Sequence, residues 1–412
     1  MVCRRRWPGA PIGCDCLVNG CAPCEGAGLA RTRISLGCGA PRNQLNENVT
    51  LMKNDLFSPL QLGAVRTANR IYLAPLTRCR AEPGNVPCEL NAEYYRQRAS
   101  GGLLIAEATS VSPRGFGYPN TPGIFTDAHI AGWRKVTDAV HAAGGLIFLQ
   151  LWHVGRISHP IFQPNGDAPI APSAVRPNGQ VFTGTGMEDY PTPRALDASE
   201  LPGIVAEYAH GAKAAKAAQF DGVEIHNANG YLLDQFLRDG TNQRTDSYGG
   251  SVENRARLTL EVVRAVVDVW GADRVGIRFS PGGVFNDMRD SDPLRTFGYV
   301  LRQLEPLNLA FAHITRVTAQ DVAHGAVSGI GPKELRAHYR GTIVANGGFT
   351  LETGNEALRE GWADAVAFGV PFLANPDLPE RFRRNAPLNE ADPATFYTPG
   401  AKGYTDYPVL GA

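Results

Sequence analysis

The chain has 412 residues, 43% of them apolar, and 40 basic side chains balance 40 acidic ones. That length admits one large α/β domain with a sizeable core, and the neutral balance offers no field that would favour nucleic acid or an anionic membrane surface. No apolar run approaches the roughly 20 residues that span a bilayer, and no charged-apolar-small order marks a signal peptide, so the expectation is a soluble, cytoplasmic protein whose partner is a small molecule.

Residues 1–51 lack sustained periodicity and are rich in Gly, Pro, Arg and Asn. They read as a disordered or non-native N-terminal extension, with 52–412 as the folded domain. Six cysteines fall in this segment: Cys3, Cys14, Cys16, Cys21, Cys24 and Cys38. The spacing Cys14-x-Cys16 then Cys21-x-x-Cys24 is compatible with a zinc knuckle, because thiolates at short spacing suit that ion. A transit peptide is the other alternative; the Arg content fits it and the scarcity of Ser does not.

From residue 71 onward, short apolar runs recur between helical patterns: "IYLAPL" (71–76), "LLIAEAT" (103–109), "LIFLQLW" (146–152), "GVEIHN" (222–227), "RVGIRFS" (274–280), "LAFAHIT" (309–315), "TIVANGG" (342–348) and "ADAVAFG" (363–369). Each is nearly continuous in apolar character, as parallel strands covered on both faces require. Between them, Ile130, Trp133, Val136 and Val140 share one helical face, as do Val263, Val266, Val267 and Trp270. Eight βα units predict a (β/α)8 TIM barrel. The competing doubly wound sheet would carry a Gly-rich nucleotide turn after its first strand, and no G-x-G-x-x-G occurs.

In a barrel of this kind the chemistry lies at the C-terminal strand ends. Thr77, Gln150, Trp152, His153, His226, Asn229, Tyr231, Arg278, Asn346, Gly347, Gly348 and Gly369 fall there. The connection 153–197 is long and rich in Pro and Gly, which predicts a lid or substrate-shaping loop after strand 3, and the polar stretch 239–251 carries the same expectation. None of the lysines, Lys53, Lys135, Lys213, Lys216, Lys333 and Lys402, stands at a strand end, which argues against Schiff-base chemistry. Scattered single histidines argue against a metal hydrolase, so no metal site is expected in the barrel. What remains is a neutral hydrogen-bonding set with one fixed cation. It suits a planar heterocycle whose edges Thr77 and Gln150 can satisfy and whose negative charge Arg278 can neutralise. Glycines at the last two strands allow close approach of a phosphate. These features describe a flavin mononucleotide (FMN) site.

From about residue 55 to 408 the chain resembles the Old Yellow Enzyme family of flavin-dependent ene-reductases. "NRIYLAPLTRCRA" (69–81), "LQLWHVGRISHP" (149–160), "VEIHNANGYLLDQFL" (223–237), "NQRTDSYGGSVENR" (242–255), "GIRFSP" (276–281) and "ANPDLPERF" (374–382) resemble family motifs in the family's order. The resemblance implies that Pro75, Thr77 and Ala108 line the flavin ring, Gln150 holds its pyrimidine edge and Arg278 sits beside N1 and O2. Gly347, Gly348 and Gly369 would cradle the phosphate. It further implies that His226 and Asn229 bind the carbonyl oxygen of an unsaturated substrate over the flavin, that Tyr231 protonates its α-carbon, and that Trp152 and Tyr397 line the substrate pocket. NADPH or NADH would reduce the flavin from the same pocket, which makes a separate Rossmann site unnecessary. Two departures stand out. Val370 occupies a position where the family commonly has a phosphate-binding arginine, leaving backbone N–H groups to that task, and Asn229 stands where some members have a second histidine. The resemblance leaves a monomer or a homodimer open.

Each of these residues also has a structural reading. His226 can be a satisfied core histidine, Tyr231 an apolar cap, Arg278 half of an ion pair, and Trp152 and Tyr397 packing. The same cofactor chemistry would serve a nitro or nitrate-ester reductase, and a flavin- or ligand-binding barrel without turnover is the non-catalytic alternative.

Overall fold

The computed structural model describes residues 55–411; the readings made for residues 1–51, including the cysteine knuckle, lie outside them. Eight parallel strands follow the eight apolar runs: β1 (Ile71–Leu73), β2 (Leu103–Ile105), β3 (Ile147–Trp152), β4 (Gly222–His226), β5 (Val275–Phe279), β6 (Phe311–Thr315), β7 (Ile343–Asn346) and β8 (Ala365–Phe368). Each pairs with its neighbours in sequence, and β8 returns to pair with β1, so the sheet closes into a (β/α)8 TIM barrel. Closure leaves no strand edge unpaired.

The helices between strands start where the sequence supplies caps. Thr126 accepts from the His129 N–H ahead of Asp127–Ala142, and Ser251 accepts from Asn254 ahead of Val252–Trp270. In the first, Trp133, Val136 and Val140 are buried; in the second, Val263, Val266 and Trp270 are buried. Among the described residues no helix is long and apolar enough to cross a membrane.

Side chains alternate across each strand with a period of two. One set, including Ile71, Leu104, Leu149, Ile225, Ile277, Ile314 and Val366, packs outward in the main core with the helices. The other set fills the barrel. At its N-terminal end lie Tyr72, Leu103, Phe148, Phe311, Val344 and Ala365, closed from below by Leu62 and Val65 of the hairpin Leu60–Leu62/Val65–Thr67. Two residues further along, the inward positions of β3 to β7 turn polar: Phe148 gives way to Gln150, Gly222 to Glu224, Gly276 to Arg278, Phe311 to His313 and Val344 to Asn346.

Gly276 is part of this filling. A Cβ there would run into the Phe311 ring, and one on Gly222 into the Phe148 ring. Gly276→Ala is therefore expected to lose about 1–3 kcal/mol through overpacking, read as a lower midpoint in thermal melts. An unchanged midpoint would show that the aromatic floor can move aside.

Candidate active site

The chain leaves β4 at His226 and makes a tight turn before the helix Leu232–Leu237, which Tyr231 caps. Asn229 and Gly230 both take the left-handed conformation, with φ of 57° and 77°, a region asparagine and glycine tolerate better than other residues. The turn is fastened on every side. Asn229 donates its N–H to Ser280 Oγ (2.7 Å) and its carbonyl accepts from Asn286 Nδ2 (2.8 Å). The Gly230 N–H donates to Asp234 Oδ2 (2.8 Å), while Arg238 Nε donates to Asp234 Oδ1 (2.8 Å). Asp234 and Arg238 are almost wholly buried. Burial raises the Asp234 carboxyl pKa, and Arg238 and the Gly230 N–H oppose that rise. Gln235 Nε2 holds the Gly230 carbonyl at 2.7 Å.

This turn places His226, Asn229 and Tyr231 on a cavity of about 920 Å³ at the C-terminal end of the barrel, within the size range of small-molecule and cofactor sites. Pro75, Thr77, Ala108, Gln150 and Arg278 line it from the strand ends. Val181, Tyr190, Phe285 and Asn286 line it from the loops, Val370 and Tyr397 from the segments after β8. Tyr397 is 66% exposed and Val370 44%, at the rim of the cavity. Trp152 does not line the cavity. It is fully buried behind Tyr231, edge-on at 5.0 Å, and stacks on Tyr118 at 5.9 Å. Gly347, Gly348 and Gly369 also stand outside the cavity lining. Gly347 and Gly348 have positive φ, and Arg316 grips their carbonyls through Nε (2.6 Å) and Nη2 (2.8 Å) while stacking on Phe349.

Electrostatics divide the roles. His226 lies within 5.0 Å of the Tyr231 ring, and burial, then the Arg278 and His313 charges, push its pKa well below the usual imidazole value, so it is neutral at neutral pH. Burial raises the Tyr231 pKa, and its hydroxyl hydrogen-bonds Tyr118 at 3.2 Å, so it remains a phenol able to donate. Arg278 donates through Nη2 to Asn346 Oδ1 (3.0 Å), and Asn346 Nδ2 in turn donates to the Ala367 carbonyl (2.7 Å). Cys79 also lines the cavity, but burial pushes its thiol up to about 12, which removes a thiolate nucleophile from consideration.

Below these groups Glu224 accepts from Gln150 Nε2 (2.7 Å) on one oxygen and from His313 Nδ1 (2.7 Å) on the other. Tyr118, Glu224 and His313 have no role in the sequence reading, and Asn346, placed there at a strand end, has no partner assigned. For Glu224 and His313 the available signal is an ionisable residue inside an otherwise apolar strand. The long loop 153–197 folds into the hairpin Gln180–Phe182/Met187–Asp189, whose residues form one wall of the cavity as expected. The segment 239–251 does not. Arg244 ties it to the carbonyls of Pro172 and Leu196, so it buttresses the base of that loop instead of shaping the site.

A planar cofactor fits this donor set. Among the described residues, Arg278 Nε and His226 Nδ1 are buried without a partner, a condition that costs free energy until a ligand satisfies it. Among the same residues no cluster of His, Cys, Asp or Glu is placed to hold a metal ion.

Comparison with known proteins gives the same picture. Residues 55–389 match the family described as NADH:flavin oxidoreductase / NADH oxidase. The 12-oxophytodienoate reductase 7 of Oryza sativa subsp. japonica is 49% identical, with 86% of this chain and 95% of that protein covered. The flavin oxidoreductase hxnT of Emericella nidulans is 45% identical, over 86% of this chain and 97% of its own length. A structure of morphinone reductase with tetrahydroNAD superposes with a TM-score of 0.81 at 48% identity, covering 86% of this chain and 98% of that one. The Old Yellow Enzyme homologue from Zymomonas mobilis gives 0.83 at 44% identity, covering 86% and 100%. The chain therefore belongs to the NADH:flavin oxidoreductase / NADH oxidase family, as an FMN- and NAD(P)H-dependent oxidoreductase of the Old Yellow Enzyme kind.

Proposed function

We propose that the protein reduces the carbon–carbon double bond of α,β-unsaturated carbonyl compounds, with the nicotinamide and the substrate using one pocket in turn. The observation that carries this reading is the turn after β4, which brings a neutral imidazole, an asparagine and a protonated phenol to one wall of one cavity. FMN, when bound, supplies hydride-transfer chemistry. Pro75, Thr77, Ala108, Gln150 and Arg278 would hold its ring, and Gly347, Gly348, Gly369 and backbone N–H groups at Val370 its phosphate. The permanent Arg278 cation would offset negative charge on that ring.

His226 and Asn229 donate hydrogen bonds to the substrate's carbonyl oxygen and draw electron density from the alkene, so that its β-carbon accepts hydride. These donors are fixed in advance by the turn, and His226 is buried, which makes its hydrogen bond worth more than in solution. Tyr231 delivers the proton to the α-carbon, and Tyr118 and Trp152 hold its ring and hydroxyl in place. Tyr397 and the 180–189 hairpin border the substrate.

Tyr231→Phe is expected to slow reoxidation by 2-cyclohexenone on the order of 10²- to 10⁴-fold while reduction by NADPH continues as in the wild type. Stopped-flow measurement of both half-reactions checks this, and equal losses in the two would remove Tyr231 from proton delivery. His226→Ala should weaken binding of a simple phenol by roughly tenfold or more, because a buried hydrogen bond is lost; unchanged affinity in a spectral titration would contradict the carbonyl-binding role. Because His226 has a depressed pKa, its protonation lies below the ordinary imidazole value of about 6.5. The enone step should then show no His226-dependent break between pH 6 and 8. A fall in rate near pH 6.5 that His226→Asn abolishes would show that the ring titrates there.

A further inference from the structure

Inside the barrel, one layer below Arg278 and His226, Glu224 is a carboxylate with no exposure to solvent. It has no direct role in the reaction, since it does not line the cavity, whereas Gln150 does. Its two oxygens are divided: Oε1 takes Gln150 Nε2 and Oε2 takes His313 Nδ1, both at 2.7 Å, and all three side chains are at most 1% exposed. β3 and β4 are paired with Gln150 opposite Glu224, so the contact is built into the register of the sheet. An ionised carboxylate only accepts hydrogen bonds, and an amide offers one donor end and one acceptor end. With Nε2 turned to Glu224, the amide oxygen is the end of Gln150 that faces away from Glu224, on the side of the cavity that Gln150 lines.

We infer that Glu224 is a positioning residue that locks the Gln150 amide oxygen toward the cofactor ring, so that the site selects a ring edge carrying an N–H donor. The inference rests on the FMN reading of the cavity and adds to it the reason for one orientation of Gln150. FMN carries such a donor at N3. A ring methylated there would leave a buried carbonyl oxygen unpaired, which is the costly case. Replacing Glu224 by glutamine keeps the shape and removes the one-way acceptor. The new amide can turn either end to Gln150, while His313 either keeps its proton on Nδ1 or changes tautomer to match. Gln150 is then free to present nitrogen or oxygen.

The test compares FMN with N3-methyl-FMN for binding to apoprotein by quenching of flavin fluorescence. Wild-type apoprotein should prefer FMN by about tenfold or more, and Glu224→Gln should reduce that preference to roughly threefold or less. A purely structural role for Glu224 would weaken both flavins alike and leave the ratio intact, so an unchanged ratio in a folded variant overturns the inference. So does a wild type that does not discriminate. A wild type that binds neither flavin overturns the FMN reading itself, and the inference falls with it. If Glu224→Gln does not fold, a neutron structure of the wild-type holoenzyme decides. Deuterons on the Gln150 nitrogen facing Glu224 support the lock, and an amide oxygen facing Glu224 overturns it.

Discussion

The two-residue period of a parallel strand is the constraint on which the site depends. In a closed barrel every second side chain points inward, and neighbouring strands hold those side chains in layers. The chain fills the lower layer with Tyr72, Phe148, Phe311 and Val344, then advances two residues to Gln150, Glu224, Arg278, His313 and Asn346. A polar plate thus rests on an aromatic floor without any change of backbone. Much of the plate's polarity is satisfied internally: Glu224 accepts hydrogen bonds from Gln150 and His313, and Arg278 donates to Asn346, while Arg278 Nε and His313 Nε2 stay unpaired among the described residues. Burying these groups singly would cost several kcal/mol each.

Above the plate, the turn after β4 carries out the second half of the design. Its geometry depends on the buried Asp234–Arg238 pair, which caps the Gly230 N–H and reaches the Ser280 and Gly283 carbonyls. A turn held this firmly presents its donors without reorganisation when charge develops on a bound oxygen. The same burial that costs free energy sets protonation: it holds His226 neutral and Tyr231 protonated, which are the states the proposed mechanism requires of them.

Much of this was legible in the sequence. The eight apolar runs correspond to the eight strands because parallel strands must be apolar on both faces, and the polar residues at their ends stand out against that background. His226, Asn229 and Tyr231 could be placed together because only a few residues separate them at one strand end. The interior plate was harder to read, since Glu224 and His313 sit within apolar runs and acquire meaning only once closure brings β3, β4 and β6 together. Tyr118 lies in a loop after β2, and its contact with Tyr231 spans 113 positions that no local pattern records. Composition also misplaced the stretch 239–251: Arg244 serves backbone carbonyls of a neighbouring loop, while Thr241 and Asn242 bond carbonyls of their own surroundings, which sequence alone cannot distinguish from a binding surface.

The most direct test of the central claim, that the β4 turn polarises and protonates one bound alkene, is the stereochemistry of a single anaerobic turnover. Prereduced enzyme is mixed in D2O with an enone substituted at both alkene carbons, and the product is examined by NMR. The account predicts deuterium from solvent at the α-carbon, on the face opposite the incoming hydride, with Tyr231→Phe losing that facial preference or the turnover itself. Deuterium distributed over both faces, or the same anti product formed at full rate without the Tyr231 hydroxyl, would contradict it.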